Sequence, residues 1–150
     1  MPESAIDLPE SCLRGVPSSD RVLDNGVVAS HNFYFVGADR SDKRHEMSIN
    51  WEDDDGALRF TLRQEREGKR QFRMGGVRIE RKELDRLNHK PVADGCLSYE
   101  RAEEPDNLYH GNLLIEGSVP KPRMKQIAAH IANEASRIIT LEETEGNRNP

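Results

Sequence analysis

Aromatic and apolar residues are scarce in this chain, and the short signatures of familiar chemistry are missing from it. Of 150 residues, 35% are hydrophobic and 5% aromatic, and the mean hydropathy is -0.82. No apolar stretch approaches the ~20 residues that a membrane-spanning helix needs. The opening Met1-Pro-Glu-Ser-Ala is neither basic nor followed by an apolar core, so no secretory signal is read there. The two cysteines, Cys12 and Cys96, form no CxxC pair and no zinc-finger spacing, which points to two reduced thiols in a cytosolic protein. No G-x-S-x-G elbow, G-x-x-x-x-G-K-[ST] loop, G-x-G-x-x-G turn or H-E-x-x-H helix occurs. Nucleophile-elbow hydrolysis, P-loop and Rossmann nucleotide binding and zincin chemistry therefore lose their usual sequence support.

What the chain has in abundance is charge. A third of its residues are charged, and the net charge of -5 hides an asymmetry. Residues 63–90 carry ten Lys/Arg against five acids, a net +5, which leaves -10 for the rest. Segregated charge of this kind suits self-association or docking to a charged partner. The pI of 5.6 argues against a dedicated nucleic-acid binder. The length fits one domain, and a chain of this size buries roughly 68–70% of its unfolded surface.

Periodicity divides the chain into an irregular arm over 1–26, a domain over 27–143 and a disordered tail over 144–150. Arg14, in the small apolar patch of the arm, reads as a surface ion-pair partner. Val27–Val36 has the β-branched and aromatic composition of a strand, with His31 on its more apolar face, and Gly37–Arg44 reads as a loop. His45–Trp51 alternates strictly, with Met47, Ile49 and Trp51 on one side. Residues 57–66 read as a helix ended by Gly68. Gly75-Gly76 is consistent with a hairpin turn inside Arg70–Arg81 or with a bulge in a single strand, and the hairpin is preferred. It would place Arg73 opposite Arg78. Lys82–Leu87 is a short helix with Leu84 and Leu87 inward. Cys96–Tyr99 and Leu108–Glu116 are strands. Pro120 and Pro122 open a long amphipathic helix running to about Glu143. The expectation is an α+β domain: a mostly antiparallel sheet packed by the C-terminal helix and the shorter helix near 57–66.

Candidate sites follow from side-chain chemistry. The run Glu52, Asp53, Asp54, Asp55 has the oxygen ligands of a divalent metal site, but no motif supports a metal. Acids also gather at a helix N-terminus, where unpaired N–H groups favour negative charge. Glu100 and His110 would make a catalytic acid/base pair if their strands lie antiparallel. Glu46, Arg73, Arg78, Arg101 and Asn112 are candidate binding residues. His45 and Glu46, adjacent on a strand, point to opposite faces and cannot share one ligand. The leading expectation is a small cytosolic interaction or accessory protein. It would act through its charge-segregated surface on a protein partner, or on a second copy through the apolar face of 122–142. The alternative is a hydrolase or transferase acting on a phosphate- or nucleotide-containing substrate, using Arg beside carboxylates.

Overall fold

Strict alternation makes His45–Trp51 a strand, and the rest of the molecule is arranged about it. A computed structural model describes residues 8–37 and 41–146. They form a single α+β domain whose strand pairings are all antiparallel. In chain order its elements are β1 (Ser11–Val16), β2 (Val36–Gly37), β3 (His45–Trp51), α1 (Gly56–Arg63), β4 (Glu65–Arg66), β5 (Lys69–Arg70), β6 (Gly75–Glu80), α2 (Arg81–Asn88), β7 (Leu97–Arg101), β8 (His110–Ile115), α3 (Lys121–Glu134) and α4 (Leu141–Gly146). The six-stranded sheet runs β6-β1-β3-β8-β7, with β2 also on β3, and β4–β5 is a separate hairpin. Among the described residues no helix is long and apolar enough to cross a membrane.

One edge of β3 is zipped to β8 from His45 to Asn50. Its other edge is shared: β2 pairs with His45 and Glu46, and β1 with Asn50 and Trp51. Past Leu13, β1 leaves β3 but stays on β6 all the way to Val16. The ladder therefore opens beside Met47–Ile49.

The main core lies on the sheet face that carries Cys12, Met47, Ile49, Trp51, Val77, Ile79 and Leu113. Leu84 and Leu87 of α2 and Ile127, Ala128 and Ile131 of α3 close it. Trp51 is fully buried, meets Tyr99 edge-on at 6.2 Å between ring centroids, and donates its indole N–H to the Glu100 carbonyl at 3.0 Å. Gly111 makes that approach possible, since a Cβ there would lie 2.1 Å from Trp51 Nε1. The opposite face holds Leu13 and a thinner layer made by α1, which buries Ala57, Thr61 and Leu62 against β1, β3 and β6.

Several expectations are corrected. The arm expected to be irregular over 1–26 contains β1, a strand inside the sheet. Arg14 and Gly15 disguise it, because they interrupt the apolar pattern for reasons that lie in distant partners. Val27–Val36 is not one strand: Ser30–Phe33 forms a 3₁₀ turn, leaving the two-residue β2. There the buried Asn32 amide donates to the Gly15 carbonyl at 3.2 Å, a side-chain bond that takes the place of ladder pairing. His31 lies 3.6 Å from Asp20. The helix expected over 57–66 stops at Arg63. Glu67 and Gly68, with φ of 55° and 79°, make the tight turn of the β4–β5 hairpin instead.

Gly75 and Gly76 form no turn, so Arg73 and Arg78 are not opposed. Both glycines begin β6, where Gly76 exchanges backbone bonds of 3.0 and 2.7 Å with Ile139. A Cβ on Gly75, whose φ is 132°, would lie 2.2 Å from the Ile139 carbonyl oxygen. The expected long C-terminal helix ends at Glu134 for the same reason: residues 136–139 run along β6, with Ser136 N–H on the Arg78 carbonyl at 2.9 Å. Its apolar face is spent on the core, and residues 144–146 belong to α4. The remainder of the expected tail, 147–150, and the first seven residues of the arm lie outside the described residues.

Candidate functional site, a polar cleft across the opened sheet

Where β1 and β3 part, a cleft of about 840 Å³ opens between the sheet, α1, the β4–β5 hairpin and the loop before β8. Its floor is made of amides. Asn50, on the last turn of the β3 alternation, points away from the main core and is buried. Its Nδ2 donates to Thr61 Oγ1 at 2.9 Å and Gln64 Oε1 at 2.8 Å, and its Oδ1 accepts from Asn107 Nδ2 at 2.9 Å. Thr61 donates its hydroxyl to the Ala57 carbonyl at 2.8 Å, and Asn107 Oδ1 accepts from the Tyr109 N–H at 3.0 Å. This chain of bonds fixes the amides in place and ties α1 to the 102–109 loop. Phe72 roofs one side by lying flat over Gly15, where a Cβ would meet its ring at 2.2 Å.

The far end of the cleft holds Arg14, Arg21 and Asn32. Arg14 donates Nε to the Asn32 carbonyl at 3.0 Å and Nη1 to the Ser48 carbonyl at 2.7 Å, bridging the parted strands. Arg21 Nη1 donates to Asn32 Oδ1 at 3.1 Å. The reading of Arg14 as a surface ion-pair partner is thus corrected: its hydrogen-bond partners are main-chain carbonyls. Desolvation, and next to it the positive charge of Arg21, push its pKa down to about 10. The cleft rim carries both signs, with Arg66 on the hairpin and Glu104 and Asp106 on the loop.

The acid run lies elsewhere and does not converge. Glu52 receives a two-pronged bond from Arg78 at 2.7 and 2.6 Å and another from Ser11 at 2.7 Å. Asp53 receives two from Arg101 at 2.9 and 2.7 Å. Asp54 Oδ1 accepts from Tyr109 at 2.8 Å and from the Gly56 N–H at 2.9 Å, at the start of α1. Asp55 is the residue before the helix and makes no side-chain cap bond. Among the described residues no group of three or more His, Cys, Asp or Glu is placed to hold a metal ion. Arg78 and Arg101, read as binding residues, are engaged by this run.

Burial alone would raise the pKa of Glu52, but the bonds from Arg78 and Ser11 and the charge of Arg78 outweigh it and hold the carboxyl below its ordinary value. A depressed folded-state pKa contributes stability that is present above the ordinary value of 4.5 and lost as pH falls through the folded one. Glu52→Gln is expected to cost about 1–2 kcal/mol at neutral pH: hydrogen bonds to a charged group run about 1.5–3 kcal/mol, and solvent at the partly exposed Arg78 screens the pair. It should also flatten the loss of stability on acidification, which thermal unfolding from neutral pH to about pH 3 would measure.

Glu100 and His110 sit on neighbouring strands but are held by different partners. Glu100 lies opposite Asn112, accepts from its Nδ2 at 2.7 Å and stands 4.0 Å from Arg44. His110 lines the cleft with Nδ1 turned to the Ala102 carbonyl at 2.8 Å. Glu46, on β3 between Val36 and Leu114, shares neither position, and Arg73 is exposed between β5 and β6. Burial pushes the Cys12 thiol up, away from nucleophilic use.

Of the residues that build the cleft, the sequence names only His110 as a site residue, and Arg14 in another role. Asn50, Thr61, Gln64, Asn107, Arg14, Arg21 and Asn32 carried one partial signal. The outward side of β3 reads Glu46, Ser48, Asn50, a polar face on a strand that has helices on both sides. No protein-family model, curated protein or solved structure matches the chain.

Proposed function

We propose that this chain is a small accessory protein that acts by binding, and that the amide-floored cleft between β1, β3 and α1 is where it binds. The observation that carries the reading is the fixed set of Asn50, Gln64 and Asn107 beside an open volume large enough for a small molecule. Amides held by one another keep their remaining lone pairs and N–H groups in set directions, which favours recognition of a polar ligand by shape and hydrogen bonding. The separate engagement of His110 and Glu100 weighs for binding over acid/base chemistry. Two unpaired cysteines, one of them buried, fit action in the cytosol.

The test is an isotope-labelled amide spectrum recorded against a panel of uncharged nucleosides, sugars and amino-acid amides. Shifts gathered at the side-chain amides of Asn50, Gln64 and Asn107 are the expected result. A panel that moves no resonance in the cleft, or moves only resonances on α2 and α3, defeats the reading.

A further inference from the structure

We propose that Arg14 and Arg21 form an oxyanion-binding subsite within this cleft, taking the phosphate or carboxylate group of the ligand. The inference rests on the cleft being a binding site, and it specifies the charge of what enters.

Three observations carry it. Both arginines line the same cavity. Both are anchored to Asn32, Arg14 on its carbonyl and Arg21 on its side-chain oxygen, so one residue holds the two cations side by side. Among the described residues neither has a carboxylate within ion-pair distance; Arg70 and Arg123 share that lack, but Arg14 and Arg21 are the pair held on one residue.

The arrangement is costly without an anion. Two like charges in a desolvated setting destabilise each other, and Arg21 Nε is buried with no hydrogen-bond partner. Neutral partners satisfy donors but do not offset charge. A guanidinium offers a planar fork of N–H groups that matches two oxygens of a carboxylate or phosphate. An oxyanion entering from the amide-lined side would supply the negative charge that the two guanidinium groups lack. Anions that bind only the folded state raise its stability by mass action.

The experiment follows Tm of the whole chain against inorganic phosphate, acetate and chloride at matched ionic strength. A saturable rise with phosphate or with acetate, absent with chloride, is expected. The arm that saturates at lower concentration identifies the ligand group as phosphate or carboxylate. Arg21→Gln keeps a donor for Asn32 and should weaken the apparent affinity for the anion at least tenfold. Arg14→Lys, which retains a charge on the bridging side chain, should weaken it less than Arg21→Gln does.

Equal behaviour of all three salts overturns the subsite, as does an Arg21→Gln protein that keeps the full shift. The two readings fail separately. Uncharged ligands that move the Asn50 and Asn107 amides while no anion raises Tm would leave the cleft standing and remove the subsite. Anion stabilisation that Arg21→Gln removes, without any response to the uncharged panel, would keep the cleft as the site and show that its ligand must carry the anion.

Discussion

Trp51→Ala should lower the free energy of unfolding by about 3–5 kcal/mol, the range for removing a buried aromatic side chain. In a chain of this size each kcal/mol moves Tm by roughly 2–4 °C, so a fall on the order of 10 °C is expected. The magnitude follows from what surrounds the ring. Trp51 is fully buried and sits opposite Cys12 on the neighbouring strand. It also faces Gly111, which has no side chain to move into the space. Loss of the indole N–H further deprives the Glu100 carbonyl of its 3.0 Å donor. Trp51→Phe keeps most of the apolar volume but not this bond, and should cost less than the alanine variant. Equal losses for the two would mean that the hydrogen bond dominates; a drop of under about 3 °C for alanine would contradict the packing account.

Asn50→Leu is expected to cost about 2–4 kcal/mol, although leucine is close to asparagine in size and more apolar. The substitution removes three bonds at once and leaves Asn107 Nδ2 and Gln64 Oε1 without the partners they have now. A buried group such as Asn107, stripped of its partner, costs about 1–3 kcal/mol, more than the net worth of the bond itself, and the half-buried Gln64 adds less. Because Asn107 links this cluster to the 102–109 loop, amide exchange at Tyr109 should quicken along with the global loss. A double-mutant cycle with Asn107→Leu gives the sharper measure. The second substitution should add much less than it costs alone, since its partner has already gone. Additive losses would show that the cluster does not act as a unit.

The parts of the fold legible in the sequence are those whose causes are local. His45–Trp51 alternates because one face meets the core. Leu84 and Leu87 fall three apart because α2 is a helix, and Pro122 marks where α3 begins. The α+β class follows from such elements in sequence. What escaped reading depends on partners far along the chain. Arg14 breaks the pattern of β1 because it reaches the Ser48 carbonyl, 34 residues on. The Gly75-Gly76 pair resembles a turn, yet its glycines answer to the backbone of Ile139. The actual turn at Glu67-Gly68 is hidden by a charged residue adopting positive φ. The candidate site is of the second kind. Glu52–Asp55 drew notice as a run but is taken up by Arg78, Arg101, Tyr109 and a helix start. The cleft is assembled from residues scattered from Leu13 to His110, on strands, helix α1 and loops that no local pattern brings together.

The opening of the ladder between β1 and β3 also bears on how the chain avoids its own copies. A sheet parted in its interior has two extra edges, and an edge with free N–H and C=O groups is a template for pairing with another chain. Here the exposed acceptors are already occupied: Asn32 takes the Gly15 carbonyl and Arg14 takes the Ser48 carbonyl. A positive charge standing in the gap also makes it a poor place for a neutral strand from another molecule to add. The side chains that line the cleft thereby also cap the edges left where the two strands part.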